Sequence, residues 1–580
     1  MESFIDFVSD RQIIEYLCKK RAKEAAKRHE LHHRHAISCD YEINDCKNEI
    51  YKLTPPRRQW IQLGERRRKL NNSSKQTISS LERTRRSVLY TILKDRESNK
   101  DEPYLHRLNL FIDKVRKRIT NPSFEFKSPE TFPVLKKQKN DNTPDEYRPI
   151  SLFKDLSDSL IIALANQYLS KLLDESFYVD SLAFRPRRNF HGEMKTTFHH
   201  DAITLIKGYL TKNYKRSIYV AECDMQKFYD TVDHDIVKEE FNKLIDRAKE
   251  RYPDTSFDAV INVFNAYLNC YNFKDNVWNN NNDKEYWKGY NVKSGVFGWV
   301  DSFKNKDIVV GVPQGGAISG LIANIVMNRV DNVIQPLLHE KNDIYIRYCD
   351  DMILLSTNYK RCKKLFGVYA KEIKKVRLIP HGAKKTKFGT PDYWNTKTKK
   401  VYKWVDNNKS FGSRWIGFVG YEISRKGDVR IRKSSFKKEI RKQKRVVNDL
   451  LRLTYNKHRV SNQSMTQSYR STLISMAVGR AALWNYKDLK NEMCWINGFK
   501  MLTDNPIVCN QIKELDRCQH RVIYHTNKML DKQESIVGGE IPKEGNNNPK
   551  KHTEINEQKI YYGKPFSYYY HFKKNVKPKK

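Results

Sequence analysis

Two short runs of strand-forming residues, separated by two acids, stand near position 350. Apolar and aromatic side chains recur at alternate positions over 344–348, and an aliphatic run occupies 352–355. This pattern predicts two paired, largely buried β-strands. Asp350 and Asp351 would then lie at the tip of a β-hairpin, where a divalent cation can offset their mutual repulsion. A solvated acidic turn would give the same pattern.

Elsewhere the hydrophobic spacing predicts helices and further strands. Apolar residues recur every three or four positions over 78–92, 105–115, 156–172 and 436–451, which is typical of amphipathic helices. Segments 132–137 and 147–152 have short strand patterns separated by a polar loop. The Tyr- and Asn-rich stretch 250–305 predicts a surface insertion or a long loop.

A predicted strand over 217–223 ends at an acid. Because Asp224 stands where the strand stops, it is well placed to share a cation with a second acidic tip. Asp230 and Asp233 follow shortly afterwards, and we expect these two to cap the next helix.

Two further segments have the chemistry of a phosphate site. Residues 311–320 are rich in glycine and precede an apolar helical pattern; small residues let the backbone approach a ligand, and a helix N-terminus favours phosphate. Lys136, Lys137 and Arg148 stand on the two predicted strands and suit a triphosphate. Ordinary surface charge on a hairpin would look the same.

Composition indicates a polyanionic partner. The chain has 580 residues, enough for about three domains. Lys and Arg outnumber Asp and Glu by 109 to 68, and the net charge of +41 is spread over most of the chain. Together with 12% aromatic residues, this excess favours nucleic acid binding over mere solubility.

Cysteine usage and hydropathy predict a reduced, cytoplasmic setting. Ten cysteines are scattered without a CxxC pair, which favours free thiols. The N-terminal residues lack the basic and apolar regions of a secretory signal. The least polar stretch, 309–327, is interrupted by Pro313, Gln314 and several glycines, so no membrane span is predicted.

Two clusters leave alternatives open. His29, His32, His33 and His35, with Cys39 and Cys46 nearby, have no usual zinc-ligand spacing, and an RNA-facing helix is the favoured interpretation. The tail from 535 ends in paired and tripled tyrosines, whose hydroxyl groups could prime synthesis covalently or whose rings could stack on RNA or pack.

In combination, the acidic and glycine-rich segments resemble the reverse transcriptases. The matching segments, in the family's order and rough spacing, are Phe184 to Asn189, Asp224 to His234 including Phe228-Tyr229-Asp230, Pro313-Gln314-Gly315 with Ser319, and Tyr348-Cys349-Asp350-Asp351. The resemblance is closest to the bacterial group-II-intron-like branch and runs from about 130 to 425. Gly320 replaces the usual proline, and Cys349 stands where many relatives have Ala or Val.

This resemblance implies an α+β fold of the right-hand polymerase type, with fingers, a palm built on an antiparallel sheet, and a helical thumb. We expect a basic helical N-terminal region at 1–125, and fingers and palm at 126–432 with an insertion at about 270–305. The thumb is expected at 433–534 and a basic, Tyr-rich tail at 535–580.

The resemblance also implies a set of site residues. Asp224 and Asp350 would hold two Mg²⁺ ions about 3.5–4 Å apart, with Mn²⁺ as an alternative, and Asp351 would support them. Tyr229 would exclude a 2′-hydroxyl group. The residues expected to bind the nucleotide are Lys136, Lys137, Arg148, Tyr229, Gln314, Gly315 and Lys385. The residues expected to form the primer grip are Phe418, Val419, Gly420 and Tyr421.

The function implied is RNA-directed DNA synthesis. The expected partners are an RNA template, in particular a dedicated non-coding RNA, the cDNA product and deoxynucleoside triphosphates; a homo-oligomer is left open. Since no HNH-like Cys/His array follows the thumb segment, the chain is more similar to bacterial enzymes of anti-phage defence than to mobile intron proteins. An intron maturase-like enzyme and a non-catalytic RNA-binding scaffold stay open as alternatives.

Overall fold

The computed structural model describes residues 1–34, 49–64, 78, 80–137, 146–188, 194–279, 309–382, 393, 396–406, 412–455, 462–479, 494–536, 564–570 and 573. Its α-helices are α1 Phe4–Phe7, α2 Asp10–Arg34, α3 Glu49–Lys52, α4 Ser80–Glu97, α5 Pro103–Thr120, α6 Leu156–Leu173, α7 His199–Lys212, α8 Phe228–Thr231, α9 His234–Arg251, α10 Asp258–Asn269, α11 Ser319–Ile334, α12 Tyr359–Lys375, α13 Lys433–Tyr455, α14 Asn462–Val478, α15 Trp495–Gly498 and α16 Pro506–Ile536.

The strands are β1 Glu130–Lys137, β2 Glu146–Leu152, β3 Pro186–Arg188, β4 Met194–Thr196, β5 Ile218–Cys223, β6 Asp343–Tyr348, β7 Asp351–Ser356, β8 Lys399–Trp404, β9 Trp415–Phe418, β10 Tyr421–Ser424 and β11 Val429–Ile431. Helices and antiparallel strands are therefore both well represented, and the α+β prediction is confirmed. The predicted helices near 78–92, 105–115, 156–172 and 436–451 are all present, as are the two strands near 132–137 and 147–152.

The chain divides into two compact units. The first comprises Met1–Tyr16 and Asp101–Val419, and the second comprises Leu17–Lys100 and Gly420–Lys580. Both units thus take residues from distant parts of the chain. The expected boundaries at 125, 432 and 534 stay predictions.

A four-stranded antiparallel sheet in the order β6-β7-β5-β8 is the centre of the first unit. Nearly every side chain of β5 and β7 is buried, because helix α12 packs on these two strands. Helix α11 is apolar around most of its circumference and lies between α9 and α12. Such a helix is stable only when it is covered on several sides, which accounts for its place in the core.

Residues 258–278 differ from the sequence prediction. We expected a long loop over 250–305, but 258–269 form helix α10 and Lys274–Trp278 form a π-helical turn. Val260, Val263, Phe264 and Tyr267 are spaced three or four apart and are buried, so the apolar periodicity outweighs the Asn and Tyr content. The rest of the expected insertion, 280–305, lies outside the described residues.

In the second unit, helix α16 packs against α13 and α14 around a core formed by Val447, Tyr469, Leu473 and Leu530. Strands β10 and β11 form an antiparallel hairpin.

The tail segment 564–570 is docked on the same unit. The carboxylate of Asp516 accepts hydrogen bonds from the backbone amides of Phe566 and Ser567, at 2.8 and 3.1 Å. Tyr568 and Tyr569 are buried, and the Tyr569 hydroxyl donates to the carbonyl oxygen of Leu502 at 2.9 Å. Of the alternatives for the tail tyrosines, packing is the one that these two adopt.

Among the described residues, no helix is both long and apolar enough to cross a membrane. Of the histidine and cysteine cluster, His35, Cys39 and Cys46 lie outside the described residues.

Candidate active site

The predicted acidic hairpin is present. Strands β6 and β7 pair antiparallel, with Tyr348 opposite Asp351 as their last pair, so Cys349 and Asp350 form the turn. Cys349 has a φ of 58°, in the left-handed region that residues other than glycine rarely adopt. A two-residue hairpin turn needs a positive φ, which explains why this backbone conformation occurs here.

Asp224 lies beside the hairpin tip. Strand β5 pairs antiparallel with β7, and Cys223 is opposite Met352. Continuing this register by one residue places Asp224 opposite Asp351. The structure therefore brings the three carboxylates of Asp224, Asp350 and Asp351 to one edge of the sheet, although 126 positions separate the first two in the sequence.

The electrostatics of this edge favour a bound cation. Burial raises the pKa of Asp350 above its ordinary value, and the negative charge of Asp224 raises it further. The pKa of the Cys223 thiol is raised to about 11, mainly by burial and also by the charges of Asp224 and Asp351. A group of carboxylates that disfavour each other's charge is stabilised by added positive charge.

A lysine supplies part of that charge, and a histidine lies nearby. The Nζ atom of Lys397 lies 2.6 Å from Oδ2 of Asp224, and Nε2 of His381 lies 3.9 Å from the same oxygen. The backbone amide of His381 also donates to the Asp224 carbonyl oxygen at 2.9 Å. The Lys397 side chain is 50% exposed, so this ion pair is accessible to competing cations.

The donor set fits a divalent metal ion, because hard cations such as Mg²⁺ prefer carboxylate oxygens. The Asp350 carboxyl group supports this fit, because burial and the charge of Asp224 disfavour its ionised form and a nearby cation would stabilise that form. Within the part of the chain that the structure describes, no group of three or more His, Cys, Asp or Glu side chains is already gathered closely enough to hold an ion. Asp224 is paired with Lys397 in this structure, so a metal ion bound at Asp224 would compete with that lysine.

Tyr229 reaches the hairpin turn from helix α8. Its phenolic oxygen lies 3.3 Å from Sγ of Cys349. Burial is the main cause that raises the pKa of Tyr229 well above its ordinary value, so the hydroxyl stays neutral. The ring is thus held beside Asp350 by a contact to the preceding residue.

Asp230 and Asp233 have different roles. Asp233 caps α9 as predicted, accepting hydrogen bonds from the backbone amides of Asp235 and Ile236. The prediction for Asp230 is wrong: it lies inside α8, is 1% exposed and accepts a hydrogen bond of 2.6 Å from Nε2 of Gln314. Burial raises its pKa to about 7.

Two of the three predicted triphosphate cations lie together. Val134 is opposite Arg148 in the β1–β2 hairpin, the register shifts at Lys136, and the side chains of Lys136 and Arg148 are both exposed. The positive charges of both lower the pKa of Asp230 against the larger effect of burial, which places them on its side of the unit. The side chain of Lys137 and the whole of Lys385 lie outside the described residues.

The glycine-rich loop packs closely against its own chain. Gly315 has a φ of 112°, and a Cβ atom there would lie 3.0 Å from the Ser151 carbonyl oxygen. The backbone amide of Ser151 in turn donates to the Gln314 carbonyl oxygen at 2.7 Å. At Gly316 a Cβ atom would lie only 1.8 Å from the Tyr267 hydroxyl. The two glycines let the loop backbone pack closely against Ser151 and Tyr267. In this position of the loop, the Gln314 side chain reaches Asp230.

The four residues expected to form the primer grip surround a sharp turn. Phe418 ends β9 and is 4% exposed, whereas Tyr421 begins β10 and is fully buried. Val419 and Gly420 between them have φ values of 41° and 89°. The boundary of the two compact units falls between Val419 and Gly420.

Several contacts at this site were not predicted from the sequence. Lys397 and His381 contact Asp224, Cys349 contacts Tyr229, and Gln314 contacts Asp230. Gln314, Tyr229 and Cys349 belong to recognised segments, whereas Lys397 and His381 do not. Lys397 precedes an edge strand whose pairing with β5 no local pattern predicts.

Comparison with known families gives one match. The family model described as "Reverse transcriptase (RNA-dependent DNA polymerase)" matches residues 134–423, which is half of the chain. This range contains the three carboxylates, Tyr229, Gln314 and Gly315. No curated protein sequence matches.

Solved structures with some similarity include two telomerases. Apo telomerase from Candida tropicalis has 12% sequence identity and a TM-score of 0.34, covering 71% of this chain and 59% of that one. Telomerase from Candida albicans in complex with a TWJ fragment of telomeric RNA has 11% identity and a TM-score of 0.30, covering 79% of this chain and 71% of that one. The chain thus spans less than two thirds of the first of these structures.

Proposed function

Because the chain belongs to the reverse transcriptase family of RNA-dependent DNA polymerases, we propose that it makes cDNA at the edge of the sheet that carries Asp224, Asp350 and Asp351. The observation that supports this site most directly is the register of β5 with β7, which places Asp224 opposite Asp351. Reverse transcriptase domains use divalent metal ions. These carboxylates would hold them, as Mg²⁺, to lower the pKa of the primer 3′-hydroxyl and offset charge on the departing pyrophosphate.

The protein's own side chains would bind and select the nucleotide. Lys136 and Arg148 are exposed on the paired strands β1 and β2 and would grip the triphosphate. Tyr229 is held beside the hairpin turn by Cys349, and its ring would exclude a ribose 2′-hydroxyl group. The Gln314 side chain, fixed by Asp230, would lie against the base pair between template and incoming nucleotide. Lys137 stays a candidate to grip the triphosphate, and Lys385 stays a candidate to neutralise or protonate the pyrophosphate.

We further propose that the template is a dedicated non-coding RNA and that the cDNA serves in bacterial defence against phage. The net charge of +41 supports a long polyanionic partner. The defence role rests on the resemblance to defence-associated bacterial enzymes alone.

Primer extension tests the catalytic part of this proposal. The purified protein should extend a DNA primer on an RNA template with deoxynucleotides and Mg²⁺, and Asp350→Asn should abolish extension. Asp246→Asn, which removes the same charge from an exposed site on α9, is the matched control and should extend normally. Equal extension by wild type and Asp350→Asn would refute the site, and no extension by wild type would favour an RNA-binding scaffold.

Sequencing tests the template. RNA and DNA that copurify with the protein from its host should be enriched in one non-coding RNA and its complementary DNA. An adjacent intron as the enriched RNA would instead favour a maturase-like enzyme, and no enrichment would count against a dedicated template.

A further inference from the structure

A fully buried ion pair lies behind the turn that carries Asp350. The side chains of Arg347 on β6 and Asp331 on α11 are both 0% exposed. Nη2 of Arg347 lies 2.6 Å from Oδ2 of Asp331, and Nε lies 3.1 Å from each carboxylate oxygen. The carboxylate therefore occupies two of the three nitrogens of the guanidinium group.

The third nitrogen reaches the turn itself. Nη1 of Arg347 donates to the carbonyl oxygen of Cys349 at 3.0 Å and to Oδ1 of Asn324 at 3.2 Å. Cys349 is the residue with the left-handed backbone and immediately precedes Asp350. A non-glycine residue keeps this conformation only where surrounding contacts hold it. The guanidinium group provides such a contact from inside the core.

The same cluster is joined to the segment that precedes Phe184. The side-chain amide of Asn324 donates to the Ala183 carbonyl oxygen at 2.8 Å. The backbone of Arg347 pairs with this segment as well, donating to Asp180 at 3.1 Å and accepting from Leu182 at 2.9 Å. The turn is thus fixed to α11 through the Arg347 side chain, and to residues 180–183 through the Arg347 backbone and the Asn324 side chain.

Arginine is suited to this position for a geometric reason. Its planar group presents donors in a fixed fork, so it can hold a carboxylate on one side and a carbonyl oxygen on the other. Lysine would keep the charge opposite Asp331, but it places a single ammonium group and cannot span both acceptors in the same way.

We propose that Arg347 is a positioning residue for DNA synthesis: it holds the Cys349 carbonyl oxygen and thereby orients the Asp350 carboxylate. This inference rests on the proposed role of Asp350 in the reaction. It does not make Arg347 a catalytic residue, since it is fully buried and its contacts are with Asp331, Asn324 and the turn backbone.

The test compares Arg347→Lys with Tyr345→Phe. Tyr345 is also fully buried, and its hydroxyl donates to the same carboxylate of Asp331 at 2.8 Å from a position two residues before Arg347. The Tyr345→Phe variant therefore weakens the same ion pair and leaves the contact between Arg347 and Cys349 in place. Single-turnover nucleotide addition and the affinity for primer–template duplex are measured for both.

For Arg347→Lys we expect the addition rate at saturating nucleotide to fall about 10–100-fold, because a small displacement of a reacting group has effects of that size. Binding of the primer–template duplex and the half-saturating nucleotide concentration should stay close to wild type. Tyr345→Phe should retain its rate. A wild-type rate for Arg347→Lys, or an equal loss in Tyr345→Phe, would overturn the proposal.

Amide hydrogen exchange provides a readout that does not depend on activity. Exchange in the peptide covering 347–352 should accelerate in Arg347→Lys and stay unchanged in Tyr345→Phe. If wild type does not extend a primer, the proposed function fails, and the exchange comparison still decides the inference. Unchanged exchange in Arg347→Lys would then refute it.

If Arg347→Lys does not fold, the double variant Asp331→Asn with Arg347→Gln replaces it. This pair removes both buried charges together, which avoids leaving one uncompensated. It also removes the fork that reaches the Cys349 carbonyl oxygen, so the same loss of rate and faster exchange are expected. A folded double variant with the wild-type rate would overturn the proposal.

Discussion

The sulfur atom of Cys349 lies 3.3 Å from the phenolic oxygen of Tyr229. The first residue is in the turn beside Asp350 and the second is in the one-turn helix that follows Asp224. One side-chain contact therefore joins the two segments that supply the carboxylates. The ring of Tyr229 is held at a fixed distance from the turn, which is what a residue that senses the sugar of a nucleotide requires.

Replacing Tyr229 by valine should relax sugar selection. Without the ring, a ribonucleotide meets less steric opposition, and we expect its incorporation relative to the deoxynucleotide to rise about 10–100-fold. Competitive primer extension with mixed nucleotides measures this ratio.

Tyr229→Phe is the matched control. It keeps the ring and removes the hydroxyl contact with Cys349. Sugar selection should be retained, because bulk excludes the 2′-hydroxyl group. If phenylalanine relaxes selection as much as valine, the hydroxyl group and not the ring carries the discrimination.

Replacing Lys397 by glutamine should tighten metal binding. Its ammonium group lies 2.6 Å from the Asp224 carboxylate and competes with a cation for it. Because the lysine is half exposed, the ion pair is worth only about 0.2–1 kcal/mol, so a gain of a few-fold in Mn²⁺ affinity is expected. Electron paramagnetic resonance of free Mn²⁺ measures it without turnover.

Lys400→Gln removes the same charge from an exposed position on the adjoining strand β8 and serves as control. It should change Mn²⁺ affinity less than Lys397→Gln does. Equal changes would mean that general charge, and not the contact with Asp224, governs the affinity.

Asp230 should make the stability of the protein depend on pH. Burial raises its pKa from 3.8 to about 7, so the folded state holds the proton more tightly than the unfolded chain does. The resulting stabilisation of the folded state is complete below pH 3.8, the pKa of the group in the unfolded chain, and it is lost as the pH rises to about 7. The melting temperature of Asp230→Asn should therefore improve relative to wild type between pH 3.8 and about 7, then level off.

Asp246→Asn, at an exposed carboxylate, is the control for this titration. Its melting temperature relative to wild type should change little over the upper part of that range. If Asp230→Asn behaves in the same way, Asp230 is not protonated in the folded protein at neutral pH.

Gly316→Ala should destabilise the loop before α11. The added methyl group would meet the Tyr267 hydroxyl at 1.8 Å, an overpacking that costs about 1–3 kcal/mol in the free energy of unfolding. Adding Tyr267→Phe removes the obstructing oxygen and should recover part of the loss, as chemical denaturation can measure. Strictly additive effects of the two changes would argue against this close approach.

The parts of the site that could be predicted are those encoded by neighbouring residues. The hairpin tip follows from alternation on both sides of Asp350 and Asp351, and Asp224 is recognisable because an apolar strand stops there. The α+β class follows from the mixture of the two periodicities. These signals are local, and the antiparallel register of β6 with β7 depends on a two-residue turn.

Contacts across long sequence separations could not be predicted. Nothing around Asp230 indicates a hydrogen bond with Gln314, 84 positions away. A polar residue shortly before a helix predicts a helix cap instead. Lys397 reaches Asp224 only because β8 pairs with β5. The sequence prediction misses the helix at 258–269 for a different reason. It gives the asparagine and tyrosine content more weight than the regular apolar spacing, which is what determines the structure.

The docked tail has a consequence for biogenesis. The unit that contains Asp516 also includes Leu17–Lys100, which is synthesised long before Phe566 and Ser567. At about 5–20 residues per second, translation from Lys100 to Phe566 alone imposes a delay of roughly 25–95 s before the two stretches can meet. The unit that carries the carboxylates is fully synthesised once Val419 has been added, so it can fold on the nascent chain. The other unit cannot complete its fold until residues 566 and 567 have been synthesised.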